Sequence, residues 1–151
     1  MKSIPVECEG RSYKVHVGLG ILPRAGRILK DLNLSKRLVV ISNRQVLKLY
    51  GTILDQSLRA AGFEVSIINL PDGERYKSLA TIEKVYYRLL QLRLDRKSTL
   101  VAFGGGVVGD MVGFAAATYL RGIACIQIPT TLLAQIDSAI GGKTGVNLKG
   151  R

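Results

Sequence analysis

Cysteine and histidine are scarce in this chain. Its 151 residues hold two of the first, Cys8 and Cys125, and one of the second, His16. The cysteines sit far apart, each in a strand-like run, and form neither a disulfide framework nor a zinc-binding spacing. A reducing, cytoplasmic compartment fits that usage. The opening residues MKSIPVECEG lack the apolar core of a signal peptide, which argues against export. Internal repeats and low-complexity linkers are missing, and no stretch has a disordered composition. A long basic run is missing too, although the net charge is +11. Residues 1–97 hold 18 of the 22 basic side chains, scattered among 9 acids and not interleaved with aromatics. Nucleic-acid domains concentrate charge on one element. The expected reading is therefore a solvated basic surface or an anionic small-molecule partner, with no nucleic acid.

Charge is nearly absent from Leu100 to Leu120, 21 residues with one charged side chain. Such a run passes a crude test for a membrane span. Gly104, Gly105 and Gly106 interrupt it and Asp110 sits near its centre, so a buried strand, turn and helix is expected, with no membrane partner.

The pattern of apolar residues supplies the rest. Lys2–Cys8 and Ser12–Val17 read as a hairpin around Glu9-Gly10-Arg11. Helical spacing covers Ile21–Leu32 and Gln45–Ala61, the latter with Val46, Tyr50, Ile53, Leu54, Leu58 and Ala61 on one face and Gly62 as its stop. Ser78 caps a predicted helix to about Arg93. Two more helices are predicted, from the glycines to about Tyr119 and over Leu132–Ile140. Strands are predicted at Arg37–Ile41, Phe63–Leu70, Thr99–Phe103 and Ile123–Ile128. The alternation implies an α/β fold, a mainly parallel Rossmann-like sheet with helices on both faces, opened by the hairpin. In such sheets ligands bind beyond the carboxyl ends of the strands.

Across residues 98–148 the only charged side chains are Asp110, Arg121, Asp137 and Lys143. Isolated buried charge is costly unless paired or used. Two readings follow: a pair of internal salt bridges, or a concave site lined by two acids and two bases. The run Gly104-Gly105-Gly106-Val107-Val108-Gly109 has the G-x-G-x-x-G form between a strand and a helix, where backbone N–H groups can receive a pyrophosphate. It follows a late strand, and no acid lies about twenty residues on, unlike the usual dinucleotide fingerprint. Asp110 reads either as an acceptor for a ribose or substrate hydroxyl, or as a first-turn acid. The run Pro71-Asp72-Gly73-Glu74-Arg75-Tyr76-Lys77 reads as an ordinary polar turn or as a ribose and phosphate contact. Thr130 and Thr131 read as nucleotide ligands, or Thr130 as a helix cap.

Three stretches resemble one family. GGGVVGDMVGFAAATYLR (104–121), IPTTLLAQIDSAIGGKTGVN (128–147) and PDGERYK (71–77) are similar to 3-dehydroquinate synthases, with the resemblance running from Leu38 onward and looser in the opening hairpin. The resemblance implies conversion of 3-deoxy-D-arabino-heptulosonate 7-phosphate to 3-dehydroquinate and phosphate, a lyase reaction of the shikimate route that uses NAD and a divalent metal, zinc or cobalt. It implies NAD contacts at Asp72, Gly73, Glu74, Arg75, Tyr76 and Lys77, at Gly105, Gly106, Val107, Val108, Gly109 and Asp110, at Thr130 and Thr131, and at Lys143. Asp137 would meet substrate hydroxyls, Lys143 the substrate phosphate, and Arg121 a neighbouring subunit's phosphate site, implying a homodimer. The family's metal ligands, a glutamate and two histidines, lie in a helical second domain. His16 is expected to be an ordinary strand residue. A lysine-asparagine pair of the family would begin just past Arg151. The whole chain, 1–151, is thus expected to be an NAD-binding N-terminal domain, a piece of a longer enzyme and inactive alone. A related sugar-phosphate cyclase and a non-catalytic nucleotide-binding module are the alternatives.

Overall fold

The computed structural model describes residues 1–8 and 11–148. Strands β1 (Lys2–Cys8) and β2 (Arg11–Val17) pair antiparallel. Arg11 thus belongs to the second strand, and the expected turn at Glu9 and Gly10 lies outside the described residues. A 3-10 turn (Leu22–Arg24) leads into α1 (Ala25–Lys30). Four parallel strands follow: β3 (Arg37–Asn43), β4 (Glu64–Leu70), β5 (Thr99–Gly104) and β6 (Ala124–Pro129), in the spatial order β4-β3-β5-β6. They alternate with α2 (Arg44–Val46), a π-helical turn (Leu47–Gly51), α3 (Thr52–Ala60), α4 (Leu79–Gln91) and α5 (Gly106–Thr118). No helix among the described residues is long and apolar enough to cross a membrane.

The central strands β3 and β5 are buried at almost every position because both faces of the sheet are covered. Side chains alternate between faces with period two. Val39, Ile41, Leu100 and Ala102 therefore pack with Ile82, Val85 and Leu89 of α4 and Met111, Val112 and Ala115 of α5. Leu38, Val40, Val101 and Phe103 point the other way, onto Ala25 and Leu29 of α1 and Leu54 and Leu58 of α3. Ser78 caps α4 by accepting from the Thr81 N–H, and Gly62 ends the helical stretch before β4 at φ 92°.

Three predicted helices differ from what the spacing implied. The first is shorter, and Leu32 is exposed. On the second, Tyr50 and Ile53 are exposed, because the π-helical turn adds a residue per turn and rotates the apolar stripe away from the core. The last is a π-helical turn, Ala134–Ser138, on which Ile136 is exposed and only Ala134 is buried, and Leu132 and Leu133 just before it are exposed too.

Candidate nucleotide site

Every strand-end segment singled out in the sequence lies at one edge of the sheet. Because the four strands are parallel, residues 71–77 after β4, 104–110 after β5 and 130–131 after β6 all leave its carboxyl edge. The glycine run bends there into α5, whose N-cap, Gly105, provides no side-chain cap. The first N–H groups of a 13-residue helix thus point outward without a capping side chain. Thr130 is tied to this bend by its N–H, which donates to the Gly104 carbonyl at 2.9 Å. Its hydroxyl, like that of Ser138, is buried and has no hydrogen-bond partner among the described residues. Buried hydroxyls are normally paired, so two orphans beside an uncapped helix start are what a polar ligand would satisfy.

The glycines serve the chain as well as any ligand. A Cβ on Gly105 would come 3.1 Å from Thr131 Cγ2, and one on Gly106 would come 3.0 Å from Ser138 Oγ. The turn after β6 therefore packs tightly onto the helix start, and a side chain at either glycine would push Thr131 or Ser138 back by a few tenths of an ångström. Capping in that turn falls to Thr131, whose hydroxyl accepts from the Ala134 N–H at 3.2 Å, and not to Thr130 as the sequence suggested. The Thr130 hydroxyl is thereby left uncommitted among the described residues.

The 71–77 segment is shaped by Gly73, whose φ of 108° suits glycine, and by the 3-10 turn Glu74–Tyr76. Asp72 accepts from Asn43 Nδ2 at 3.0 Å, at the end of β3. Arg75 stacks its guanidinium on the Tyr76 ring, 4.7 Å from the centroid. Lys77 Nζ donates to Asp110 Oδ2 at 2.6 Å and lies 3.9 Å from Glu74. Side chains of Lys77 and Asp110 are only 17% and 19% exposed. Asp110 therefore does not act as a first-turn acid: it sits one turn inside α5, compensated by a cation from another strand end.

The four charges of the apolar block do not assemble as the sequence suggested. Lys143 pairs with Asp137, but both side chains are 57% exposed, so the pair is no internal salt bridge. Arg121 lies at the other edge of the sheet, because α5 crosses the sheet before reaching it and β6 starts only three residues later. Leu120 and Arg121 there adopt φ of 50° and 68°, and Arg121 makes no ion pair among the described residues. Asn43 and Asn147 escaped the sequence reading. Asn43 ends a strand facing the site, a position that could have flagged it. Asn147 reaches Glu74 across 73 residues, and nothing local announces that contact.

Residues 67–151 match the family of 3-dehydroquinate synthase N-terminal domains. The chain belongs to this family. It is 52% identical over 144 residues to a 3-dehydroquinate synthase of Nostoc sp., an alignment covering 95% of this chain and 40% of that protein. An alignment so long extends well before Leu38. Among solved structures, 2-deoxy-scyllo-inosose synthase complexed with carbaglucose-6-phosphate, NAD+ and Co2+ superposes with a TM-score of 0.89 at 30% identity, over 98% of this chain and 41% of that one. The 2-epi-5-epi-valiolone synthase of Streptomyces hygroscopicus, with NAD+ and Zn2+ bound, gives a TM-score of 0.69 at 37% identity, over 74% of this chain and 31% of that one. Members of the 3-dehydroquinate synthase family are thus longer than this chain, which spans about two fifths of the curated relatives it matches.

Proposed function

We propose that this chain is the NAD-binding portion of a 3-dehydroquinate synthase, which turns 3-deoxy-D-arabino-heptulosonate 7-phosphate into 3-dehydroquinate and phosphate. The observation that carries the nucleotide assignment is the buried Thr130 hydroxyl, without a hydrogen-bond partner among the described residues, beside the uncapped start of α5. Relatives of that name at 52% identity favour this substrate over those of the cyclases at 30% and 37%.

In this reading the N–H groups opening α5 receive the pyrophosphate, where the helix dipole favours anions. Thr130 and Thr131 border it. Glu74 accepts hydrogen bonds from ribose hydroxyls and Lys77 offsets phosphate charge. Asp110, anchored by Lys77, keeps its second oxygen for a hydroxyl. When bound, NAD supplies a reversible hydride acceptor for a substrate carbinol. Asp137 meets substrate hydroxyls, and Lys143, exposed and flexible, exchanges Asp137 for the substrate phosphate. Arg121 lies too far from its own site to join it, which supports a role at a neighbour's phosphate site in a cytoplasmic homodimer. No three His, Cys, Asp or Glu side chains gather among the described residues, so these residues do not fit a metal centre. Zinc or cobalt would be held by parts of the longer lyase outside this chain, and the 151 residues alone should release no phosphate.

Calorimetric titration of NAD into the chain tests the assignment. Thr130→Val keeps the shape of the side chain and removes the orphan hydroxyl. It should weaken NAD binding roughly five-fold or more while leaving the fold intact. Failure of the unmodified chain to bind NAD would overturn the reading.

A further inference from the structure

The segment following the Gly141-Gly142 turn runs back across the site. Gly141 donates its N–H to the Tyr13 hydroxyl at 2.8 Å. Gly145 donates to the Asp110 carbonyl at 3.4 Å, and Asn147 donates its backbone N–H to the Lys77 carbonyl at 2.8 Å. A parallel bridge pairs Ser78 with Asn147. The side chain of Asn147 completes the contact: its Nδ2 donates to Glu74 Oε1 at 2.9 Å. Asn147 therefore grips the 74–77 turn twice, once through the backbone beyond Lys77 and once through the Glu74 carboxylate.

That carboxylate is otherwise lightly held. Lys77 stands 3.9 Å from the same oxygen, and its short contact goes to Asp110 instead. No hydrogen bond reaches Oε2 of Glu74 among the described residues. An exposed glutamate on a 3-10 turn has several rotamers open to it, and binding must offset the loss of that freedom. The amide of Asn147 selects one rotamer in advance. It occupies Oε1 and leaves the lone pairs of Oε2 free to accept.

We propose that Asn147 is a positioning residue for the nucleotide: it orients Glu74 so that the free carboxylate oxygen meets a vicinal diol such as the ribose of NAD. The proposal rests on the assignment of Glu74 to the nucleotide site. It also joins the segment carrying Lys143 to the turn that reads the ribose, so order in one is linked to order in the other.

A double-mutant cycle on the intact chain tests it, with NAD affinity and thermal melting measured for each protein. Asn147→Ala removes the amide but keeps the backbone bond to Lys77. It should weaken NAD binding roughly three- to ten-fold, the range of one hydrogen bond, without lowering the melting temperature. In a Glu74→Ala background the same substitution should have no further effect, because Asn147 acts through Glu74. Asn147→Asp sets a second carboxylate against the first. NAD binding should then be weaker than in Asn147→Ala at pH 8 and recover as the pH falls toward 5 and the pair shares a proton. Equal losses in both backgrounds, or unchanged affinity in Asn147→Ala, would overturn the positioning role. If instead Glu74→Ala alone left NAD binding unchanged, the assignment of Glu74 itself would fall, and the two failures are told apart by which single variant is silent.

Discussion

Replacing Lys77 by methionine removes the cation that compensates Asp110. Lys77 Nζ and Asp110 Oδ2 are 2.6 Å apart, and more than four fifths of each side chain is covered. An exposed pair contributes about 0–1 kcal/mol, whereas breaking a fully buried one costs about 3–5 kcal/mol. The coverage here puts Lys77→Met toward the middle, about 2–3 kcal/mol. For a chain of this length that lowers the melting temperature by roughly 5–10 °C. Urea unfolding of the wild type, Lys77→Met, Asp110→Asn and the double variant gives the coupling directly, provided the slopes agree. Each single variant leaves one charge stranded, and the double variant strands none. The coupling should therefore be about 2 kcal/mol and should survive added salt, because coverage limits screening. Additivity within about 0.5 kcal/mol would show that the pair is solvated and that Asp110 needs no partner, and the account of this strand edge would fail.

Lys143→Met should behave differently. Its partner Asp137 is as exposed as it is, so stability should change by less than about 1 kcal/mol. Substrate affinity of an enzyme built on this chain should drop steeply, and a large loss of melting temperature with normal kinetics would refute the phosphate role. Gly26→Ala should destabilise by roughly 3 kcal/mol, read from the urea midpoint, because its Cβ would lie 2.0 Å from the Ser57 carbonyl oxygen of α3. Asp95 is held below its ordinary value of 3.8, first by the Ser98 hydroxyl and then by the Lys97 N–H. A depressed carboxylate contributes stability above its unfolded value and loses it as pH falls through the folded one. Melting curves of wild type and Asp95→Asn should therefore differ at pH 6 and draw together as the pH falls below the ordinary carboxylate value of 3.8; a constant gap would remove Asp95 from the acid response.

How much of this was legible beforehand follows from range. Alternating apolar runs, the Ser78 cap, the Gly62 stop and the turns after β4, β5 and β6 are local patterns, and parallel strands then bring those turns to one edge whatever their spatial order. The partners of each charge are not local. Lys77 meets Asp110 because the 71–77 loop and α5 lie on the same side of a sheet ordered β4-β3-β5-β6, which differs from chain order. Arg121 and Asp110 interrupt one apolar block, but a helix running the depth of the sheet carries them to opposite edges. Glycines 105 and 106 looked like room for a ligand, yet part of that room is taken by Thr131 and Ser138. Asn147 closes the 128–147 motif, but nothing local announces its partner, since its amide meets Glu74 only where the returning segment crosses that turn. Composition and periodicity determined which segments form and which edge they reach. Only packing in three dimensions decided which side chains are spent on one another and which, like the Thr130 hydroxyl, are left without a partner among the described residues.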